Sequence, residues 1–155
     1  MNVKLAENRL MFLVMGVALA VYAALQPAYG QEHKVVNLAP ARGLPFNDGI
    51  VAGNTLYVAG QEGTNEAGKL AEGGIGPETK ATLENIEKVV KAAGFELKDI
   101  VSVTVYLADV HEFPDMNKVY KTFMPDPKPA RATMQAAALV NNARVEISAI
   151  AVKQK

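Results

Sequence analysis

The stretch GPETKATLENIEKVVKAAG (76–94) predicts the first helix of the chain. This helix, together with the strand that follows it in sequence, indicates the fold. Pro77 suits a first helical turn, and Glu78 complements the positive end of the helix dipole there. Apolar residues then recur at three- and four-residue spacing, and Gly94 is a typical helix stop. The next stretch, DIVSVTVYLAD (99–109), is β-branched and alternating, so it predicts a buried strand.

Further strands and a second helix surround this pair. GIVAGNTLYVAGQEG (49–63) predicts two strands about a Gly-Asn turn, and HEFPDMNKVYKTFM (111–124) predicts a helix that the following prolines terminate. Two strands, about 131–139 and 144–152, close the chain. The order β-β-α-β-α-β-β favours a mixed sheet with both helices on one face. The other face is then apolar and uncovered, as is typical of an oligomer interface.

Composition excludes several classes of function. The 155 residues suffice for one domain, and the net charge of zero favours neither nucleic acid nor an anionic membrane as a partner. The absence of cysteine excludes disulfides, thiolate metal sites and a cysteine nucleophile. His33 and His111 are far apart with no third ligand at metal spacing, so no zinc site is predicted. We expect His33 in a disordered terminus and His111 in a capping or surface position.

Residues 1–30 differ in character from the rest. A basic start is followed by an apolar run over 10–25 and by small residues that end at Gly30. This order is typical of a secretory signal, and the run is shorter than the roughly 20 residues of a membrane span. We therefore expect cleavage after Gly30 and a mature domain of 31–155, periplasmic or secreted, without stable membrane insertion. An uncleaved anchor is the alternative.

Arg131 is the first candidate for chemistry. The prolines at 125, 127 and 129 hold its approach extended, and it begins an alternating strand, so its side chain should have a fixed position. A fixed guanidinium presents a planar fork of donors that matches a carboxylate. The alternative is a solvated arginine, or one that is paired with a nearby acid.

Glu146 is the second candidate, because a lone carboxylate in an apolar strand needs a partner or a task. A salt bridge to Arg144, or to a lysine on a neighbouring strand, is the alternative. If the last two strands form a hairpin about 141–142, Glu146 faces Ala137, and Arg131 lies about 20 Å away on the same sheet face. The two side chains could then share a site only between subunits.

Six stretches together make the chain resemble the YjgF/RidA (reactive intermediate deaminase) family, over roughly residues 35–153. They are YVAGQ (57–61), VVKAAG (89–94), DIVSVTVYLADV (99–110), MNKVY (116–120), PARATM (129–134) and VEISAIAV (145–152). The resemblance implies a chorismate-mutase-like α+β fold and a homotrimer with three clefts between subunits. It also implies hydrolysis of enamines and imines, such as 2-aminoacrylate, to 2-keto acids and ammonia, with no metal or organic cofactor.

The resemblance assigns roles to individual residues. Arg131 matches the arginine that binds the substrate carboxylate, and Glu146 matches the acid associated with the hydrolytic water. The backbone N–H groups of Gly60 and Thr133 match ligand contacts, and Asn117 matches a polar cleft residue. The partners implied are a small imino or keto acid and further copies of this chain.

Three residues depart from the family's pattern. Phe46 stands where a tyrosine is common, Ala59 where a serine is common, and Thr133 where a cysteine is common. The cleft thereby loses part of its polar lining, including a hydroxyl associated with proton transfer. Two alternatives to a deaminase follow: a non-catalytic trimer that binds a small carboxylate, and a chaperone-like trimer with an exposed apolar surface.

Overall fold

A computed structural model describes residues 32–39 and 43–153. The predicted signal segment, 1–30, and its cleavage position lie outside the described residues. The elements are β1 (His33–Val36), β2 (Gly49–Ala52), β3 (Thr55–Glu62), α1 (Ile75–Ala92), β4 (Ile100–Leu107), α2 (Phe113–Phe123), β5 (Ala130–Gln135) and β6 (Val145–Val152). In this part of the chain no helix has the length and apolar character needed to cross a bilayer.

The predicted α+β architecture is confirmed, with one additional strand. His33 begins β1, which pairs antiparallel with β2, so the expectation that His33 is disordered is wrong. A four-residue edge strand with little alternation gives too weak a signal to be recognised in sequence. His111 is exposed, as expected, and its backbone N–H donates to Asp109 Oδ1 at 2.9 Å.

The strands form one mixed sheet in the order β1-β2-β3-β6-β4-β5, in which only the β4-β5 pair is parallel. The predicted hairpin of the last two strands is therefore wrong. The chain crosses over through α2, which brings β5 back parallel to β4, and β6 then lies between β3 and β4. β5 ends at Gln135, and the connection to β6 turns at Asn141 and Asn142, whose φ angles are 55° and 56°.

The core lies between the sheet and the two helices. On β4, the alternate residues Val103, Val105 and Leu107 are at most 3% exposed. The helix α1 packs on β3, β6 and α2, and its fully buried side chains include Val89 and Val90. Burying an aliphatic side chain stabilises the folded state by about 1.5–3 kcal/mol, so this layer holds the sheet in place.

The opposite face of the sheet is uncovered among the described residues, as predicted. Tyr57, 50% exposed, and Met134, 45% exposed, lie on it, with Ile150 beside Tyr57 across the β3-β6 pair. An oligomer interface on this face stays a prediction.

Candidate functional site

Arg131 lies at the start of β5 and points to the helix-covered face of the sheet, because its partner on β4 is the buried Val103. Its guanidinium rests on the Tyr120 ring, 4.4 Å from the centroid, and lies 5.6 Å from the Phe113 centroid. Nη2 donates to Asn117 Oδ1 at 2.8 Å. Three side chains of α2 therefore hold the guanidinium, and two predicted site residues, Arg131 and Asn117, are brought together.

No carboxylate of the described chain forms an ion pair with Arg131, so the alternative of a salt-bridged arginine is wrong for this part of the molecule. Burial raises the pKa of the Tyr120 hydroxyl, and the nearby Arg131 cation opposes that rise. A guanidinium carries five N–H donors, so the contact with Asn117 leaves others available. Arg131 is thus a held cation that can receive an external anion.

The backbone of β5 adds a donor beside this cation. The N–H of Ala136 donates to Leu107 O at 2.9 Å, towards β4. Because N–H groups alternate in direction along an extended strand, the N–H of Thr133 points the other way, to the outer edge of the sheet. Arg131 precedes Thr133 by two residues in β5, so the two side chains lie on the same face of the sheet. A guanidinium and an edge N–H on one strand suit the two oxygens of a carboxylate.

Glu146 lies near the start of β6, on the uncovered face of the sheet. Its cross-strand partners are Tyr106 on β4 and Glu62 on β3. Its carboxylate lies over Gly60, where a Cβ would overlap Glu146 Oε1. β3 is bulged at this glycine, which is a common way of changing where a strand directs its side chains. Two further predicted residues, Glu146 and Gly60, are therefore in contact.

The pKa of Glu146 is raised above its ordinary value, first by burial and second by the carboxylate of Glu62. The predicted alternative of a salt bridge to Arg144 or a lysine is wrong within the described residues, since Arg144 Nη1 donates to Glu112 Oε1 at 2.5 Å instead. Glu62 Oε2 accepts a hydrogen bond from Asn141 Nδ2 at 2.9 Å. Glu146 is therefore a half-buried acid that holds its proton more tightly than an exposed glutamate does.

Phe46 and Ala59 are linked through the loop between β1 and β2 rather than by direct contact with Glu146 in the part of the chain that the structure describes. Phe46 is 56% exposed in the loop between β1 and β2, and lines a cavity of about 90 Å³ with Asn37 and Asp48. The N–H of Ala59 donates to Asp48 O at 3.0 Å, which joins β3 to that loop. The loop and Arg131 lie towards opposite edges of the sheet, since β3, β6 and β4 separate β2 from β5.

The seven predicted residues thus form two groups in one chain. After the roles that the family resemblance implies, we call them the anchor group (Arg131, Asn117, Thr133) and the water group (Glu146, Gly60, Ala59, Phe46). The anchor group lies at the β5 edge, and the water group lies on β3, β6 and the loop before β2.

The prediction that Arg131 and Glu146 share a sheet face is wrong. Their β4 partners, Val103 and Tyr106, differ by an odd number of positions and so point to opposite faces. β4 also separates the two strands, which places them about 10 Å apart across the sheet. The conclusion that the two side chains cannot meet within one chain holds, for this different reason.

Sequence reasoning missed Glu62 and the aromatic support of Arg131. The β3 bulge shifts the alternation by one residue, so Glu62 falls opposite Glu146 only once the β3-β6 pairing is known. Phe113, Asn117 and Tyr120 follow an i, i+4, i+7 spacing, which could have shown that they share one helix face. No group of three or more His, Cys, Asp or Glu in the described ranges is arranged to hold a metal ion.

Comparison with known proteins adds to this geometry. Residues 36–153 match the family described as Endoribonuclease L-PSP. A Bos taurus protein named 2-iminobutanoate/2-iminopropanoate deaminase is 43% identical over 116 residues, covering 74% of this chain and 85% of the bovine one. The crystal structure of RidA from the Antarctic bacterium Psychrobacter sp. PAMC 21119 is 34% identical, with a TM-score of 0.72, and covers 77% of this chain and 99% of its own.

The crystal structure of E. coli TdcF with bound serine is also similar, at 29% identity and a TM-score of 0.72, covering 78% of this chain and 99% of TdcF. The matched range includes every strand except the first residues of β1, both helices, and all seven predicted site residues. The chain belongs to the YjgF/RidA family.

Proposed function

We propose that this chain hydrolyses 2-imino acids and their enamine tautomers to 2-keto acids and ammonia, in a cleft formed between subunits of a homotrimer. The observation that carries the proposal is the division of the site: a cation with no acidic partner on one sheet face, and an acid with no basic partner on the other, among the described residues. A second copy of the chain can bring the two groups together where one copy cannot.

The relatives support this reaction. The bovine relative is named for the deamination of 2-iminobutanoate and 2-iminopropanoate, and the TdcF structure holds serine, a small amino acid. Both ligand classes carry a carboxylate next to a carbon that bears nitrogen. The anchor group would bind the carboxylate of such a molecule, and the water group would lie beside the carbon that bears nitrogen.

In the proposed mechanism, Arg131 and the N–H of Thr133 bind the substrate carboxylate, which fixes the position of the neighbouring C=N carbon. Glu146 orients a water for attack on that carbon and accepts a proton from it. The carbinolamine collapses when Glu146 returns the proton to nitrogen and the C–N bond breaks. The remaining hydroxyl proton passes to the departing ammonia, and the water oxygen becomes the keto oxygen. Water and iminium thus give the keto acid and ammonium, with no redox step.

The departures at Phe46 and Ala59 bear on the rate rather than on the chemistry. Phe46 supplies no hydroxyl, so in this proposal proton transfer passes through Glu146 alone. A protonated imine is intrinsically electrophilic, and positioning of carbon and water supplies much of the acceleration. The raised pKa of Glu146 also makes it a better proton acceptor when it is ionised.

We further propose that residues 1–30 direct export, so that the trimer acts outside the cytoplasm. The apolar run and the small residues before Gln31 motivate this. Imino acids would then come from amino-acid oxidation at the cell envelope. The mature N-terminus and the distribution between cell fractions test this part independently of the reaction.

The decisive experiment measures keto-acid release from freshly generated imino acids by the wild type, Arg131→Ala and Glu146→Gln. Arg144→Ala is the matched control, because its guanidinium pairs with Glu112 and belongs to neither the anchor group nor the water group. We expect acceleration over the spontaneous rate by the wild type and Arg144→Ala, a large loss of kcat/KM in Arg131→Ala, and a loss of kcat in Glu146→Gln.

Two other outcomes have defined meanings. If no protein exceeds the spontaneous rate but a 2-keto acid raises the Tm of the wild type and not of Arg131→Ala, the cleft is a binding site without turnover. The departures at Phe46 and Ala59 favour this second candidate. If gel filtration with light scattering shows a monomer, the shared cleft is wrong.

A further inference from the structure

Glu62 places a second carboxylate beside Glu146. The two residues are direct partners across the antiparallel β3-β6 pair, and such partners point to the same face with Cβ atoms about 4.5–5.5 Å apart. The hydrogen bond from Asn141 Nδ2 to Glu62 Oε2, 2.9 Å long, holds the Glu62 carboxylate in place. The charge of Glu62 also reaches the acid of the proposed mechanism, because it contributes to the raised pKa of Glu146.

No cation of the described chain offsets this pair. The ion pairs within 32–39 and 43–153 all involve other acids, and Arg144, close by in sequence, is paired with Glu112. Like charges directly opposite each other destabilise a sheet pair. A bound positive group would relieve that repulsion, so the pair favours a cationic ligand.

The charges of the proposed cleft indicate where such a group would belong. Arg131 and Glu146 together match the carboxylate and the protonated nitrogen of a simple 2-imino acid. Glu62 adds one negative charge that this ligand leaves unmatched. The surplus charge is on the water group, away from the carboxylate anchor.

We propose that Glu62 is a specificity-determining residue, which makes the cleft favour 2-imino acids whose side chain carries an ammonium or guanidinium group over aliphatic and acidic ones. This inference rests on the deaminase activity proposed above and names its preferred substrate class. A charge-assisted hydrogen bond in a partly desolvated cleft corresponds to a preference of roughly 10-fold or more.

The test compares kcat/KM for the imino acids that an amino-acid oxidase makes from arginine, leucine and glutamate. Glu62→Gln removes the charge and keeps an oxygen that can accept from Asn141 Nδ2. Glu66→Gln is the matched control, because it makes the same change on an exposed loop residue. We expect the wild type and Glu66→Gln to favour the arginine-derived imine over the leucine-derived one by about 10-fold. In Glu62→Gln the ratio of kcat/KM for the arginine-derived imine to kcat/KM for the leucine-derived one should fall to about 1, whereas any effect of the lost charge on Glu146 changes both values alike.

Equal preference in the wild type and Glu62→Gln, with both active, overturns the inference and leaves the proposed function standing. If no protein accelerates any imine, the proposed function fails instead, and calorimetry with the matching 2-keto acids decides the role of Glu62. Tighter binding of the basic keto acid that Glu62→Gln abolishes supports the selectivity. Equal affinities for the basic and aliphatic keto acids overturn it.

Discussion

Gly60 and Glu146 are complementary across the β3-β6 pair, because the carboxylate of Glu146 occupies the space that a side chain at Gly60 would fill. A glycine is therefore required at this position because of the space that Glu146 occupies, and not because of the backbone conformation. The missing side chain lets the carboxylate of Glu146 lie close to the backbone of β3 at the bulge.

Gly60→Ala should therefore impair chemistry more than folding. The added Cβ would displace Glu146 Oε1, and since this carboxylate is at the end of a flexible, half-buried side chain, it can rotate away at little cost in stability. We expect kcat to fall at least about 10-fold with KM changed little, because misplacing a reacting group is costly in rate. Steady-state kinetics with a thermal melt of the same sample measures both effects.

Gly76→Ala is the matched control for that substitution. Its Cβ would lie 3.9 Å from Val119 Cγ2, an ordinary contact, within the first turn of α1. Alanine in a helix is up to about 1 kcal/mol more favourable than glycine, so this variant should be as stable as the wild type or more so, with unchanged kcat. Equal loss of kcat in both variants would contradict the role given to the Gly60 contact.

The raised pKa of Glu146 predicts a pH-dependent stability. The folded chain holds this proton more tightly than the unfolded chain, so between the ordinary value of 4.5 and the raised pKa the folded state binds more protons. The free energy of unfolding contributed by Glu146 is then present at low pH and is lost as pH rises through that window. Glu146→Gln should consequently gain stability relative to the wild type on going from about pH 4 to pH 8.

Urea denaturation of both proteins across this pH range measures the difference. Glu62→Gln removes the second cause of the raised pKa, so in that background the effect of Glu146→Gln should be smaller. A difference that stays constant with pH would show that Glu146 titrates normally in the folded protein.

Local patterns in the sequence were sufficient to predict most elements and to single out the two residues to which we assign the proposed chemistry. The 3–4 spacing of α1 and the alternation of β4 are properties of a single segment, and each segment folded as its own pattern predicted. Arg131 and Glu146 stood out for the same reason, as ionisable groups in strands that otherwise lack them.

Strand pairing was not predictable in the same way. The short connection between β5 and β6 favoured a hairpin, yet β6 pairs with β3 and β4, whose long apolar alternation offers more burial than the short edge strand β5. The relative faces of Arg131 and Glu146, and the presence of Glu62 beside Glu146, depend on that pairing and on the bulge in β3. Strand pairing and bulges depend on contacts between segments that are distant in sequence, so the residue spacing within one segment does not predict them.

Asn117→Asp should weaken substrate binding without disturbing the fold. The new carboxylate would occupy the place of Asn117 Oδ1, 2.8 Å from Arg131 Nη2, and would neutralise the guanidinium within its own chain. We expect KM to rise about 10-fold or more, since an ion pair competes directly with the substrate carboxylate, and the Tm to stay the same or rise. Kinetics at saturating and limiting imine concentrations separates KM from kcat. Unchanged KM would show that Asn117 lies away from the bound carboxylate.

Glu78 should prove the most sensitive acidic position for stability. It is 3% exposed in the first turn of α1, and its Oε1 accepts hydrogen bonds from the backbone N–H groups of Arg144, at 2.6 Å, and Val145, at 3.3 Å. These are the residues immediately before Glu146, so one buried carboxylate ties the helix to the start of β6. Glu78→Leu leaves two backbone donors without an acceptor and should lower the free energy of unfolding by about 2–4 kcal/mol.

Glu78→Gln keeps an acceptor oxygen at the same distance along the side chain. Its free energy of unfolding should be about 1 kcal/mol lower than that of the wild type, because the hydrogen bonds remain but their acceptor is no longer charged. Urea denaturation measures both variants, and kinetics well below each Tm shows whether Glu146 has moved. We expect a lower kcat in Glu78→Leu than in Glu78→Gln, with similar KM, because the anchor group lies on β5 and α2 rather than on β6. Equal stability losses in the two variants would mean that packing at this position, rather than the bonds to Arg144 and Val145, holds the start of β6.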